Sequence, residues 1–105
     1  QWVPDTETIL TGGLNRPPME KVPGTDALLN LAREIVEGLG LPYQELTSGG
    51  GSDGNFTAAI GVPTLDSLGP VGQNAHSVDE WVDLTTVPER LTLVTALLMR
   101  APKRP

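Results

Sequence analysis

Residues 49–84 read GGGSDGNFTAAIGVPTLDSLGPVGQNAHSVDEWVDL, and this stretch decides the fold. A glycine-rich turn comes first, and residues 55–60 then have room for one short helix that Gly61 closes. Residues 62–65 are apolar and compact, as in a buried strand, and residues 69–77 have the composition of a loop. The stretch therefore predicts the order turn, helix, strand, loop.

A longer helix is predicted before this stretch. Its apolar residues recur every three or four positions, with Thr25 or Asp26 as the amino-terminal cap and Gly38 or Gly40 as the stop. Residues 43–47, which follow it, alternate well enough for a short strand that runs into the glycine turn. The apolar positions of the helix are Leu28, Leu31, Ala32, Ile35, Val36 and Leu39.

The two ends of the chain complete the pattern. Residues 6–14 predict a strand disturbed by two glycines. Thr86 and Glu89 have the spacing of a capping box and predict a last helix, whose apolar stripe is Val87, Leu91, Val94 and Leu98. Helices that alternate with short apolar strands predict an α/β fold in which helices pack on a mostly parallel sheet.

Composition narrows the classes of function. The formal net charge of -6 disfavours nucleic acid and anionic membranes as partners, and no apolar run is long enough to span a bilayer. Without cysteine, any metal must be held by imidazole and carboxylate groups. Gln1 is not an initiator methionine, so we expect that further polypeptide preceded it.

Two features carry candidate chemistry. The turn at residues 49–54 lets backbone amides approach an anion, although a triple glycine is more often a flexible turn. His76 is the sole histidine, in a loop of a type where ligands gather, although a lone histidine is more often an ordinary surface residue. Asp79 or Glu80 would either orient its imidazole or remain exposed acids.

The chain also resembles a known family. The glycine turn before Ser-Asp-Gly, the Gly-Val-Pro-Thr segment, the Gly-Pro-Val-Gly loop and the block AHSVDEWV at residues 75–82 look like the carboxy-terminal signature of zinc peptidases. That family includes glutamate carboxypeptidase, acetylornithine deacetylase and succinyl-diaminopimelate desuccinylase. The likeness extends upstream to NRPPM at residues 15–19 and downstream through the last helix.

The resemblance implies an architecture. Residues 1–14 are expected to be the last strand of a lid and dimerisation domain, through which the parent protein forms a homodimer. Residues 15–105 are expected to be the carboxy-terminal part of the catalytic domain, a partial three-layer sandwich. The amino-terminal part of that domain, which lies outside this chain, would supply the other metal ligands and the general base.

The resemblance also implies roles for individual residues. His76 is expected to bind zinc, Arg16 to grip a substrate carboxylate, and Gly50, Gly51, Ser52 and Asn55 to line the substrate pocket. The implied catalytic residues lie outside this chain.

The activity implied for the parent is hydrolysis of the amide bond in N-acyl amino acids or small peptides that bear a free carboxylate. Two zinc ions, with cobalt or manganese as alternatives, would activate water, and the chain alone would be inactive. We expect the parent to be cytoplasmic. A non-catalytic or degenerate domain that aids folding or contacts a partner, and a small carboxylate-binding module, stay open as alternatives.

Overall fold

A computed structural model describes residues 3–102, so Gln1 and Trp2 of the predicted lid strand and residues 103–105 of the predicted catalytic part lie outside it. The described chain contains helices α1 (Thr25–Gly38), α2 (Gly54–Ala59) and α3 (Val87–Arg100), and a 3₁₀ turn at Leu84–Thr86. Strands β1 (Gly72–Gln73) and β2 (Trp81–Val82) pair antiparallel, with Gly72 opposite Val82. The mixed α/β content predicted from the sequence is confirmed.

Helix α1 confirms the predicted spacing, but its start differs from the prediction. The residue before the helix is Gly24, at φ 98°, and no side chain caps the first turn. Instead the Thr25 hydroxyl, which is buried, accepts a hydrogen bond from the Val22 amide at 3.0 Å. Thr25 is therefore inside the helix, and its hydroxyl is already bonded to the Val22 amide. Asp26 lies in the first turn. The cap predicted at either residue is wrong.

The end of α1 follows the prediction. Gly40 has φ +74°, a left-handed conformation that glycine adopts without strain. The Gly40 amide donates to the Glu37 carbonyl at 2.9 Å, and the Leu41 amide donates to the Val36 carbonyl at 3.1 Å. These two bonds form a Schellman motif, which satisfies carbonyls at the helix end and turns the chain away.

The core lies between α1 and α3. On α3, Leu93 and Leu97 are buried, whereas Leu91 and Leu98 of the predicted stripe are exposed. Val87 and Val94 of that stripe are half-buried, so the stripe coincides only in part with the buried face; α3 has apolar residues on two sides, and periodicity alone does not say which side meets α1. The core comprises Ala32, Ile35, Val36, Leu93 and Leu97, with Leu31, Leu41, Tyr43, Leu65, Leu68 and Ala96 packed around it.

The capping box predicted at the start of α3 does not form. The Thr86 hydroxyl accepts from the Val71 amide at 3.0 Å and donates to the Asp83 carbonyl at 2.7 Å, and no side chain caps the helix. These bonds tie the start of α3 to the segment before β1. Pro88 lies in the first turn, where its missing amide hydrogen leaves nothing unsatisfied.

Three predicted strands, at residues 6–14, 43–47 and 62–65, are not strands in residues 3–102. A strand exists only when a neighbour pairs with its backbone. Within residues 3–102 no backbone hydrogen bonds join these segments to one another. Their sequences favour extended chain, but the part of the chain that the structure describes offers them no partner.

The chain is more open than a compact domain of its length. The radius of gyration is 18.8 Å, whereas a compact domain of this length has about 13 Å. The accessible surface is 8629 Å², against about 5,700 Å² for a compact protein of this mass. The core is therefore one-sided, and much apolar surface is uncovered.

Candidate functional site

Arg16 lies on the extended segment before α1 and is held by three contacts. One Nη atom donates a hydrogen bond to the carbonyl of Ser52. The same Nη1 lies 3.5 Å from a carboxylate oxygen of Asp53, and the guanidinium stacks 4.6 Å from the centre of the Phe56 ring. Pro17 and Pro18 follow Arg16 and fix the backbone there in an extended form. The guanidinium is therefore directed toward the glycine turn.

The glycine turn is shaped to receive that side chain. A Cβ atom on Gly51 would lie 2.9 Å from Cδ of Arg16, so only glycine permits this approach. The neighbouring Gly50 amide donates to the Ser48 hydroxyl at 3.0 Å, and the Gly54 amide donates to the Ser52 hydroxyl at 3.1 Å. These local bonds define the path of the turn into α2.

Asn55 joins the two segments. It is almost buried, at 9% exposure. Its side-chain Oδ1 accepts from the Ser52 amide at 2.8 Å, and its Nδ2 donates to the Pro17 carbonyl at 2.8 Å. Arg16, Gly51, Ser52 and Asn55, for which the family resemblance implied roles in substrate binding, therefore lie together, with Gly50 beside them.

The electrostatics of this cluster suit an anion. The Arg16 side chain is 35% exposed, and within residues 3–102 its Nε and Nη2 atoms make no hydrogen bond. That edge of a guanidinium matches a carboxylate through two parallel hydrogen bonds. Asp53 is the nearby anion, and its side chain is 99% exposed, so its ion pair with Arg16 is weak and replaceable.

His76 lies elsewhere, in the loop between β1 and β2. It is exposed, with φ 68°, and Asn74 in the same loop has φ 58°. The loop is held by the Asn74 carbonyl, which accepts from the Ser77 hydroxyl at 2.7 Å and from the Ser77 amide at 3.2 Å. Asn74 also donates to the carbonyl of Asp79 at 3.3 Å. The hairpin presents the imidazole on an outward-facing turn.

The metal site implied for the family is not complete in this chain. Within residues 3–102 no three His, Asp, Glu or Cys side chains converge, and a catalytic zinc usually has three protein ligands. In the same residues no hydrogen bond or ion pair joins His76 to Asp79, Glu80 or Arg16. An exposed imidazole suits a single metal donor, but this donor set does not fit a whole site.

A charged network that the sequence did not predict fastens residues 43–45 to α1. Glu45 accepts hydrogen bonds from Lys21, Arg33 and Tyr43 at 3.0 to 3.1 Å, and Lys21 also donates to Asp26 at 3.0 Å. Hydrogen bonds from Lys21 and then Tyr43 hold the pKa of the Glu45 carboxyl below its ordinary value. Burial, followed by the bond to Glu45, raises the pKa of the Tyr43 hydroxyl. The network fixes the segment that leads into the glycine turn.

The structure also shows a cavity that is separate from the candidate site and an aromatic ring that belongs to it. A cavity of about 140 Å³ lies between α1 and α3, but Arg16, the glycine turn and His76 do not line it, so it is separate from the candidate site. Phe56, beneath the Arg16 guanidinium, was not singled out from the sequence. The sequence held no signal for this contact, because Arg16 and Phe56 are 40 positions apart.

Comparisons with known proteins agree with the motifs. The model of "Peptidase family M20/M25/M40" matches residues 8–100. Succinyl-diaminopimelate desuccinylase from Xylella fastidiosa (strain 9a5c) is 38% identical over 76 residues, which are 69% of this chain and 20% of the relative. Carboxypeptidase G2 from Pseudomonas sp. (strain RS-16) is 35% identical over 98 residues, 90% of this chain and 23% of the relative.

The desuccinylase of Xanthomonas euvesicatoria pv. vesicatoria (strain 85-10) is 40% identical over 77 residues, again 69% of this chain and 20% of the relative. The chain thus spans about a fifth of the length of these relatives. No solved structure matches it. Within residues 3–102, none of the helices has the length and apolar character to cross a membrane.

Proposed function

The chain belongs to peptidase family M20/M25/M40, and from that membership we propose that it is the carboxy-terminal part of a metal-dependent hydrolase. The intact protein would cleave the amide bond of N-acyl amino acids or small peptides that bear a free carboxylate. The names of its relatives, a succinyl-diaminopimelate desuccinylase and a carboxypeptidase, support this class of substrate. Neither name fixes the acyl group or the amino acid.

The observation that supports the proposal is the contact of Arg16 with the glycine turn at residues 49–54, which together form the Arg16 clamp. Arg16 would bind the substrate carboxylate through its unoccupied Nε and Nη2 edge, while Nη1 keeps its bond to the Ser52 carbonyl and its weak pair with Asp53. Gly50, Gly51 and Ser52 would line the pocket beside it, and the buried Asn55 would support that wall from behind. A guanidinium that stacks on Phe56 is already oriented before the substrate arrives, which reduces the entropy lost on binding.

For the metal, we propose that His76 contributes one neutral imidazole ligand, and that polypeptide outside this chain supplies the others. Bound zinc, with cobalt or manganese as alternatives, would supply the Lewis acidity that activates a water and polarises the scissile carbonyl. Because residues 3–102 contain no complete donor set, the 105-residue chain alone should hydrolyse nothing.

The same proposal explains the extended segments. Residues 43–47 and 62–65 would become strands of a mostly parallel sheet in a three-layer sandwich, once the amino-terminal part of the catalytic domain pairs with them. Residues 1–14 would be the last strand of a lid domain through which the protein dimerises. The cytoplasmic location stays a prediction, and the net charge of -6 supports the absence of nucleic acid and anionic membranes among its partners.

The test uses the intact protein and a panel of N-succinyl-diaminopimelate, N-benzoyl-glutamate, N-acetylornithine and simple dipeptides. Each is offered with its free carboxylate and as the matching carboxamide, and the released amino acid is measured. Arg16→Ala should lower kcat/KM for the carboxylate substrates by about 10- to 100-fold, the scale of a lost charge-assisted hydrogen bond. Arg16→Lys should restore only part, because an ammonium lacks the two-pronged geometry.

The metal role is tested separately. His76→Ala in the intact protein should lower the bound zinc measured by elemental analysis, while Gln73→Ala, at an exposed position three residues away, should leave it unchanged. Cleavage that persists in a strong chelator would refute the metal role. Equal hydrolysis of carboxylate and carboxamide substrates would refute the role of Arg16.

A further inference from the structure

We infer that Asn55 is a positioning residue, which holds Arg16 and the glycine turn in register without touching the substrate. The inference rests on the proposed carboxylate-binding role of Arg16. Its origin is the geometry of the Asn55 side chain, which is almost buried and is bonded on both of its polar atoms. Both ends of the amide are therefore already engaged by the protein itself.

The contacts form a closed ring. Asn55 donates to the Pro17 carbonyl, and Pro17 is bonded covalently to Arg16. Arg16 donates to the Ser52 carbonyl, and the Ser52 amide donates back to Asn55. Ser52 therefore meets Arg16 on its carbonyl side and Asn55 on its amide side, so a shift of either segment disturbs the other.

A capping role explains the bond to the Ser52 amide, which with the bond from the Gly54 amide to the Ser52 hydroxyl resembles a capping box, but it does not explain the bond to the Pro17 carbonyl. Asn55 is the second residue of α2, and the residue before the helix is Asp53. The Asn55 side chain turns back past Asp53 to the Ser52 amide, and reaches a carbonyl 38 positions away in sequence. Such a long-range bond orders two segments relative to each other, and the Arg16 guanidinium lies at their junction.

Loss of the Asn55 amide should therefore act through Arg16. The Pro17 carbonyl and the Ser52 amide would both lose their partners, and the two segments would separate or exchange these bonds for water. The guanidinium would then sample more orientations, and binding of a carboxylate would require its reordering. Hydrolysis of substrates without a carboxylate would not be affected.

The experiment is a double-mutant cycle in the intact protein. Asn55→Ala and Asn55→Asp are made in the native background and in Arg16→Ala. The best carboxylate substrate of the panel above and its carboxamide are compared, and the readout is the ratio of their kcat/KM values. Thr57→Ala is the matched control, because Thr57 supports α2 through Gly54 and Thr64 and lies outside the ring.

In the native background, Asn55→Ala should lower the carboxylate preference roughly tenfold, mainly through KM, as expected for the loss of one to two hydrogen bonds. Asn55→Asp keeps the acceptor for Ser52 and the shape of the side chain, but loses the donor to Pro17, so the preference should fall with the fold retained. Thr57→Ala should leave the preference unchanged. In the Arg16→Ala background, neither Asn55 variant should change it further.

A second readout does not depend on activity. The Ser52 amide should exchange its hydrogen faster in Asn55→Ala than in Asn55→Asp, because only the aspartate retains the acceptor.

Three results would overturn the inference. An undiminished preference in both Asn55 variants would show that the ring does not orient Arg16. A further loss in the Arg16→Ala background would show that Asn55 contacts the substrate directly. If Arg16→Ala itself leaves the preference intact, the proposed function fails, and the positioning role fails with it; the first two results leave the role of Arg16 standing.

Discussion

Replacement of Leu93 by alanine should unfold much of the core, whereas the same change at Leu91 should be tolerated. The two leucines lie on α3 and differ mainly in burial, because Leu93 is 3% exposed and Leu91 is 61% exposed. Removing a fully buried leucine costs about 2–5 kcal/mol. A core with one open side can relax, so a value near the lower end, about 2–3 kcal/mol, is expected for Leu93→Ala. At Leu91 only about two-fifths of the roughly 2.5 kcal/mol of full burial is at stake, which gives about 1 kcal/mol.

Urea unfolding followed by circular dichroism in the far ultraviolet measures both changes on the 105-residue chain. Because that chain leaves so much surface uncovered, Leu93→Ala should show little helix even without urea, and Leu91→Ala should keep a cooperative transition. In the intact protein the difference should narrow, because the proposed sandwich would cover part of the second face of α3. Equal effects of the two changes in the isolated chain would refute a core centred between α1 and α3.

Three more predictions test the frame of the site. Gly40→Ala should cost about 1 kcal/mol because Gly40 has φ +74°, whereas Gly38→Ala, in open space inside the helix, should stabilise by about 0.5–1 kcal/mol; opposite midpoint shifts in urea are the check. Glu45→Gln should flatten the acid loss of stability, because the folded pKa of Glu45 lies below its ordinary value of 4.5. The stabilisation that the Glu45 carboxylate provides is present above pH 4.5 and is lost as the pH falls through its folded pKa. Urea midpoints of the native protein and of Glu45→Gln that both stay constant below pH 4.5 would contradict this. Asp53→Asn should lower KM for carboxylate substrates about 2- to 5-fold, because it removes an exposed negative charge beside Arg16 that repels the incoming carboxylate, and a raised KM in steady-state assays would argue the reverse.

The helices were predictable because their signals are local. The apolar spacing of α1 and the left-handed Gly40 belong to one helix and the residues just after it, and the structure reproduces both. The cap at Thr86 was not predictable, because its hydroxyl bonds to Val71, 15 positions away; the cap at Thr25 was wrong because its hydroxyl bonds to the preceding Val22 amide and not to the first turn of the helix. The buried face of α3 was also undetermined, because it depends on where α1 lies.

The contacts of the candidate site were also predictable only in part from the sequence. The motif indicated that Arg16 and the glycine turn belong together, and the structure brings them into contact. The resemblance pointed to Asn55 but gave no hint of its bond to the Pro17 carbonyl, because the sequence does not show which backbone group 38 positions away a side chain meets. The charged network around Glu45 was missed for a related reason, since its members come from three separate segments.

We propose that the uncovered parts of the chain form one side of a larger layered domain. Leu41, Tyr43 and Leu65 already pack against α1 and α3, so the segments that carry them cover the core as strands of a sheet would. What those segments lack, within residues 3–102, is backbone pairing along their edges. Unpaired strand edges attract further strands. The relatives are about five times as long as the matched segment, so a protein of their length has the polypeptide to supply such strands. We propose that the same added layer also supplies the metal ligands that residues 3–102 do not bring to His76.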